Sequence, residues 1–157
     1  MFKRRNRSRQ RGITLVESLV ALVVLSVGML GIASLYITSL KAGRSALVRT
    51  QAVNLATDIA DRIRANRDGL NAYDTSLYGG APAVQPCMGA DCSSEDMAQD
   101  DLARWMQTLR TVMPGNATGE VIFQDQPGTQ PNQYTIIVSW LESGDTERSA
   151  TRLVVEL

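Results

Sequence analysis

LVALVVLSVGMLGIASLYITSL, residues 19–40, is a run of twenty-two residues without a charge. At ~1.5 Å rise per residue a helix of that length spans the ~30 Å hydrocarbon core of a bilayer, so the stretch reads as one membrane-spanning helix. A secretory signal peptide is the competing reading, but its apolar region runs about 7 to 15 residues before a small-residue cleavage site, and this run is longer. Upstream stand Lys3, Arg4, Arg5, Arg7, Arg9 and Arg11, with no acidic residue before Gly12. Basic flanks stay on the cytoplasmic side, which sends everything after Leu40 across the membrane.

The chain has 157 residues, enough for one small domain and an appendage. Its 16 basic and 16 acidic side chains sum to zero only because they are segregated. Past the six basic residues of the leader, ten basic groups face sixteen acidic ones, a net of −6. From Leu70 onward Arg104, Arg110, Arg148 and Arg152 face twelve acidic residues, a net of −8. Such a surface is a poor one for nucleic acid, where Lys and Arg dominate affinity for phosphate, so no nucleic-acid partner is expected. The absence of histidine excludes Ser-His-Asp and Cys-His machinery and any histidine-ligated metal, and two cysteines cannot complete a four-thiolate zinc site. An enzyme would have to work with carboxylates alone. We therefore expect no enzyme, no cofactor and no metal.

Helical periodicity continues beyond the membrane segment. Val48, Ala52, Leu55, Ala56, Ile59 and Ile63 form an apolar stripe at three-to-four spacing while Arg49, Asp58, Asp61, Arg62 and Arg64 face elsewhere. One continuous helix from Ile13 to Arg67 is expected, with Asp58 and Arg62 as an i,i+4 pair and Gly69 as the stop. Gly, Pro, Ala, Ser and Asn between Gly69 and Cys92 predict a long irregular loop. Ser93 to Asp96 forms a capping box ahead of a second helix with the apolar face Leu102, Trp105, Met106, Leu109 and Met113, ended by Pro114 and Gly115. Strands are predicted at Glu120–Gln124, Gln133–Glu142 and Ala150–Leu157. Ser143, Gly144 and Asp145 are turn residues, so the last two strands should form an antiparallel hairpin. The fold class is α+β: a long N-terminal helix packed on a small antiparallel sheet, with a second helix in the connecting region.

Between the basic leader and the apolar run lies Arg11-Gly12-Ile13-Thr14-Leu15-Val16-Glu17. This stretch resembles the processing site of type IV pilins and pseudopilins. The resemblance implies that a prepilin peptidase cuts after Gly12 and methylates the new amino terminus of Ile13, leaving Glu17 at the fifth mature position. The family usually has phenylalanine after the cut, and many major pilins have a proline about twenty residues further on. Here Ile13 and Ser34 hold those places, and Gly28 and Gly31 are the local weak points, each costing ~1 kcal/mol relative to alanine. ESLVALVVLSVGMLGIASL, residues 17–35, is similar to minor pilins of the PilV type and less closely to minor pseudopilins of type II secretion.

The resemblance implies a type IV pilin fold with three parts: a cleaved leader (1–12), a transmembrane and assembly helix (13–40) and a periplasmic head (41–157). It implies an inner-membrane protein that passes into a pilus fibre. Its partners would be the prepilin peptidase and other major and minor pilins, in a hetero-oligomeric fibre or tip complex serving motility or adhesion. The alternatives are a minor pseudopilin, or a ligand-binding pilin for adhesion or DNA uptake; the charge of the head argues against DNA.

Glu17 also has a reading independent of family. A carboxylate one turn into an apolar helix is expensive in lipid and seeks a cation. The amine freed at Ile13, on the same or a neighbouring subunit, would supply one and set the axial register. The other reading is a hydrated glutamate at headgroup level. Cys87 and Cys92 stand in an exported loop, where an oxidising compartment favours a local disulfide over a redox or metal-binding pair. Trp105 and Trp140 lie on apolar faces and are expected in the core rather than at a ligand. Glu95, Asp96, Asp100 and Asp101 suit the positive end of the second helix, with a calcium site as the lesser alternative. Asn116-Ala117-Thr118 matches a glycosylation sequon of low specificity.

Overall fold

A computed structural model describes residues 13–157 except Met88, Ala90, Thr129 and Ser143. The leader, Gly12 and the first residue of the predicted hairpin turn therefore lie outside the described residues. The chain divides into two compact units, Met1–Gly43 and Arg44–Leu157.

Helix α1 spans Leu15–Ala65 and so contributes to both units. In the first unit it runs unbroken through Gly28, Gly31 and Ser34, and every described residue is exposed. The hydroxyls of Ser26 and Thr38 donate back to the carbonyls of Leu22 (2.7 Å) and Ser34 (3.0 Å). Their polarity is thereby turned into the helix and the outer surface stays apolar.

In the second unit the stripe foreseen from periodicity, Val48, Ala52, Leu55, Ala56, Ile59 and Ile63, is buried. The helix ends at Ala65, two residues before Arg67. Asn66 leaves helical geometry (φ −118°, ψ 65°), and its side-chain amide donates to the Ser94 carbonyl (2.8 Å) and to Tyr73 Oη (3.2 Å). Those bonds tie the turn to the second helix. Gly69, expected as the stop, instead lies buried in a 3-10 segment, Arg67–Tyr73. A Cβ there would come within 2.9 Å of Asn66 Nδ2 and of the Tyr73 ring, so packing requires the glycine. A second 3-10 segment, Thr75–Tyr78, follows, capped by Asp74, which accepts from the Ser76 N–H (2.8 Å). The start of the expected loop is thus ordered, because Tyr73 is an anchor in the core and not a loop residue.

Helix α2 spans Ser94–Val112, and its N-cap Ser93 accepts from the Asp96 N–H (3.1 Å) as the capping box requires. Its face of Leu102, Trp105, Met106, Leu109 and Met113 is buried. Strands β1 (Thr118–Gln124), β2 (Gln133–Leu141) and β3 (Arg148–Glu156) form one antiparallel sheet in the order β1-β2-β3. β1 and β3 each begin two residues earlier than predicted. β2 alternates strictly, with Tyr134, Ile136, Val138 and Trp140 on the covered face. Trp105 Nε1–H donates to the Leu55 carbonyl (2.8 Å), joining α2 to α1 across the core, and Ser45 Oγ donates to Glu142 (2.9 Å) from the other end of the sheet. The indole N–H of Trp140 is buried with no partner among the described residues.

Candidate assembly site

At the amino end, Ile13 and Thr14 precede the first turn of α1, and Thr14 is its cap. The Glu17 N–H donates to Thr14 Oγ1 (3.3 Å), and the Ser18 N–H to the Thr14 carbonyl (3.2 Å). Glu17 therefore occupies the third helical position, where a carboxylate also meets the positive end of the helix dipole. Thr14-x-x-Glu17 has the same capping-box spacing that marks the start of α2, a signal for this cap that is present in the sequence. Ile13 and Glu17 are both exposed, together with the apolar residues that follow. α1 is long and apolar enough to cross a membrane, and the share of that apolar window buried within the protein is 0%.

The acidic residues of α2 do not converge. Asp100, buried, accepts from Arg104 (2.6 Å) and from the Gln85 N–H (3.1 Å), holding the loop against the helix. Asp101 accepts from Arg62 (3.1 Å) and Tyr73 Oη (2.8 Å), while Asp96 turns back to Ser93. Burial pushes the Tyr73 phenol well above its ordinary range. Among the described residues no group of three or more His, Cys, Asp or Glu side chains could hold a metal. Cys87 and Cys92 are joined in a disulfide with Cα atoms 5.6 Å apart, just ahead of α2. Trp105 and Trp140 are core residues.

The two outer strands of the sheet differ. Three outward backbone groups of β1 are met by side chains: Thr75 Oγ1 both accepts from the Val121 N–H and donates to its carbonyl (3.0 Å each), and Asp74 Oδ2 accepts from the Phe123 N–H (3.0 Å). Burial alone would raise the Asp74 carboxyl, but the hydrogen bonds from Ser76 and Phe123 outweigh it and hold the group below its ordinary range. Beside the start of this strand lies an open groove of about 320 Å³ lined by Thr75, Ala81, Met106, Leu109, Arg110 and Glu120.

Two family models match the chain. The prokaryotic N-terminal methylation motif matches residues 7–33, and the model described as type IV pilin Tt1218 matches residues 34–103. Both matches support a type IV pilin family. The α+β architecture, with a long amino-terminal helix, a second helix and a three-stranded antiparallel sheet, is that of the type IV pilin fold. The two matches together support a pilin subunit of pilus or pseudopilus assembly. The methylation motif implies prepilin peptidase processing and pilin partners in general, and with the apolar helix it points to membrane anchoring. No curated protein and no solved structure shows a significant match.

Proposed function

We propose that this pilin-type chain is a minor pilin of the PilV type, a non-enzymatic subunit of the priming or tip complex of a type IV pilus. The observation that carries the reading is register. Gly12, Ile13 and Glu17 stand in the family's spacing immediately before an uncharged helix that continues, without a break, into the covered face of an acidic head. Prepilin peptidase removes residues 1–12 and methylates Ile13. Residues 13–40 hold the chain in the inner membrane and later pack in the fibre, and residues 41–157 form the periplasmic head. Glu17 pairs with the amine of Ile13 on the same or a neighbouring subunit, offsetting the desolvation of its carboxylate. The head supplies subunit contacts, and the Cys87–Cys92 bridge restrains the loop ahead of α2.

Intact mass and amino-terminal sequencing of the protein from its native host test this reading. The expected species begins at N-methylated Ile13 and is recovered in sheared pili. A chain that retains Arg11 and Gly12 would remove the pilin reading, and recovery only with secretion components would assign it to a pseudopilus.

A further inference from the structure

β3 is an outer strand of a different kind from β1. The Leu157 N–H donates to the Asn132 carbonyl (2.9 Å), which with the register of β2 and β3 fixes the phase of the ladder. Ser149, Thr151, Leu153 and Val155 turn their backbone groups toward β2, whereas Arg148, Ala150, Arg152, Val154 and Glu156 turn theirs outward. Among the described residues none of those outward N–H and C=O groups has a partner, in contrast to Val121 and Phe123 on β1. β3 is not blunted by shortness or by proline: it has nine residues, and its only charges are Arg148, Arg152 and Glu156. Arg148 does not screen it, because its guanidinium reaches back across the sheet to the carbonyls of Asn116 and Ser139 (3.0 Å each). Val154 is 49% exposed, and Leu153 and Leu157 only partly covered.

We propose that the free edge of β3 receives an extended strand from a different pilin-type subunit of the same assembly, with an apolar residue beside Val154 and an acidic residue beside Arg152. A row of outward donors and acceptors is a template for another strand, and its main-chain bonds supply affinity while the flanking side chains select the partner. Arg152 is exposed and has no acidic partner among the described residues, although the head is strongly acidic. Glu156 stands four residues beyond Arg152, on the far side of Val154, so the acceptable strand has an acid and a base either side of an apolar residue. A second copy of this chain fits less well. Its β3 would match these charges only antiparallel, and the two-fold rotation would point the packed residues 44–65 of α1 in opposite directions. Subunits anchored by processed amino termini enter an assembly with that helix in one direction. Its β1 is already met at Val121 and Phe123 by Thr75 and Asp74.

The proposal rests on the pilin reading, and the test separates the two. The full chain is expressed in its native host as wild type, Val154→Pro and Arg152→Glu, and each is examined for processing at Ile13, thermal stability and recovery in sheared fibres. The Val154 N–H points away from β2, so proline there removes an outward donor without breaking the ladder. Both variants should be processed normally and be recovered at least five-fold less. Backbone hydrogen exchange at Ala150, Arg152 and Val154 in wild-type fibres should be at least ten-fold slower than in the detergent-solubilised chain. A photoreactive group at residue 150 should cross-link to another protein that carries the processing motif. Processed chain that is incorporated with fast-exchanging edge amides overturns the proposal and leaves the pilin reading standing, as does cross-linking to a second copy. Unprocessed wild type overturns both. If Val154→Pro fails to fold, Arg152→Glu and the exchange rates decide.

Discussion

Gly119 lies where α2 packs tightly on β1, because a Cβ there would run into the Trp105 ring and come within 2.9 Å of Leu109 Cδ1. Gly119→Ala should therefore destabilise the head by about 1–3 kcal/mol through overpacking, read by denaturant unfolding; a variant as stable as wild type would show that the ring gives way. The two tryptophans separate equally sharply. Trp105 donates to the Leu55 carbonyl, whereas the Trp140 donor is buried without a partner among the described residues. Replacing a satisfied donor forfeits a buried hydrogen bond, although the Leu55 carbonyl keeps its partner within the helix, while replacing an orphaned one relieves a penalty, so Trp105→Phe should cost ~1 kcal/mol more than Trp140→Phe. At Glu17 the expected result is selective. Glu17→Ala removes a charge from an apolar helix and should leave membrane insertion intact while lowering incorporation into fibres; normal recovery in sheared fibres would defeat the assigned role. The burial of both indoles could be read from the sequence, since each lies on a periodic apolar face. Their hydrogen bonding could not, because Leu55 and Trp105 are fifty residues apart.

Elements whose signal is periodic were legible. The stripe from Val48 to Ile63, the face from Leu102 to Met113 and the alternation in β2 all repeat often enough to declare their geometry and their covered side. The two 3-10 segments were not, because Arg67–Tyr73 and Thr75–Tyr78 are too short to show a period and are held by distant partners: Leu70 by Tyr134, Thr75 by Val121 and Asp74 by Phe123. The closing of the β1 edge was hidden for the same reason. It has a consequence for acid stability. With its folded pKa below the unfolded value of about 3.9, Asp74 favours the folded state above that pH, and the contribution is lost as pH falls through the folded value. Melting temperature should fall more steeply between about pH 5 and pH 2.5 in wild type than in Asp74→Asn, which keeps an acceptor but does not titrate there. Parallel curves would exclude this carboxylate as a source of the acid sensitivity.

At the scale of the whole molecule the chain divides into two compact units between Gly43 and Arg44. A truncated chain beginning at Lys41 should fold and remain soluble, since the second unit retains the buried face of α1, both helices and the sheet. Its core is small for its surface, so the Cys87–Cys92 bridge should matter. Closing so short a loop contributes about 2 kcal/mol by restricting the unfolded chain, and reduction should lower the melting temperature by several degrees. An unchanged transition after reduction, with two thiols then countable, would assign the bridge no structural role.

The hydrogen bond from Ser45 to Glu142 joins residues ninety-seven apart, and the buried face of α1 shares its core with residues of α2 and of the sheet that follow it in the chain. Chains are made from the amino end, so Val48, Ile59 and Ile63 emerge well before Ile136, Val138 and Trp140 exist to cover them. For that interval the head has an adhesive helix and no lid. Closure must wait for the last strands, which makes folding a late, non-local event and exposes the nascent chain to aggregation. A shortened carboxyl terminus would therefore prolong this exposure indefinitely, and loss of β3 should be read first as misfolded, proteolysed chain rather than as a defect in any finished fibre.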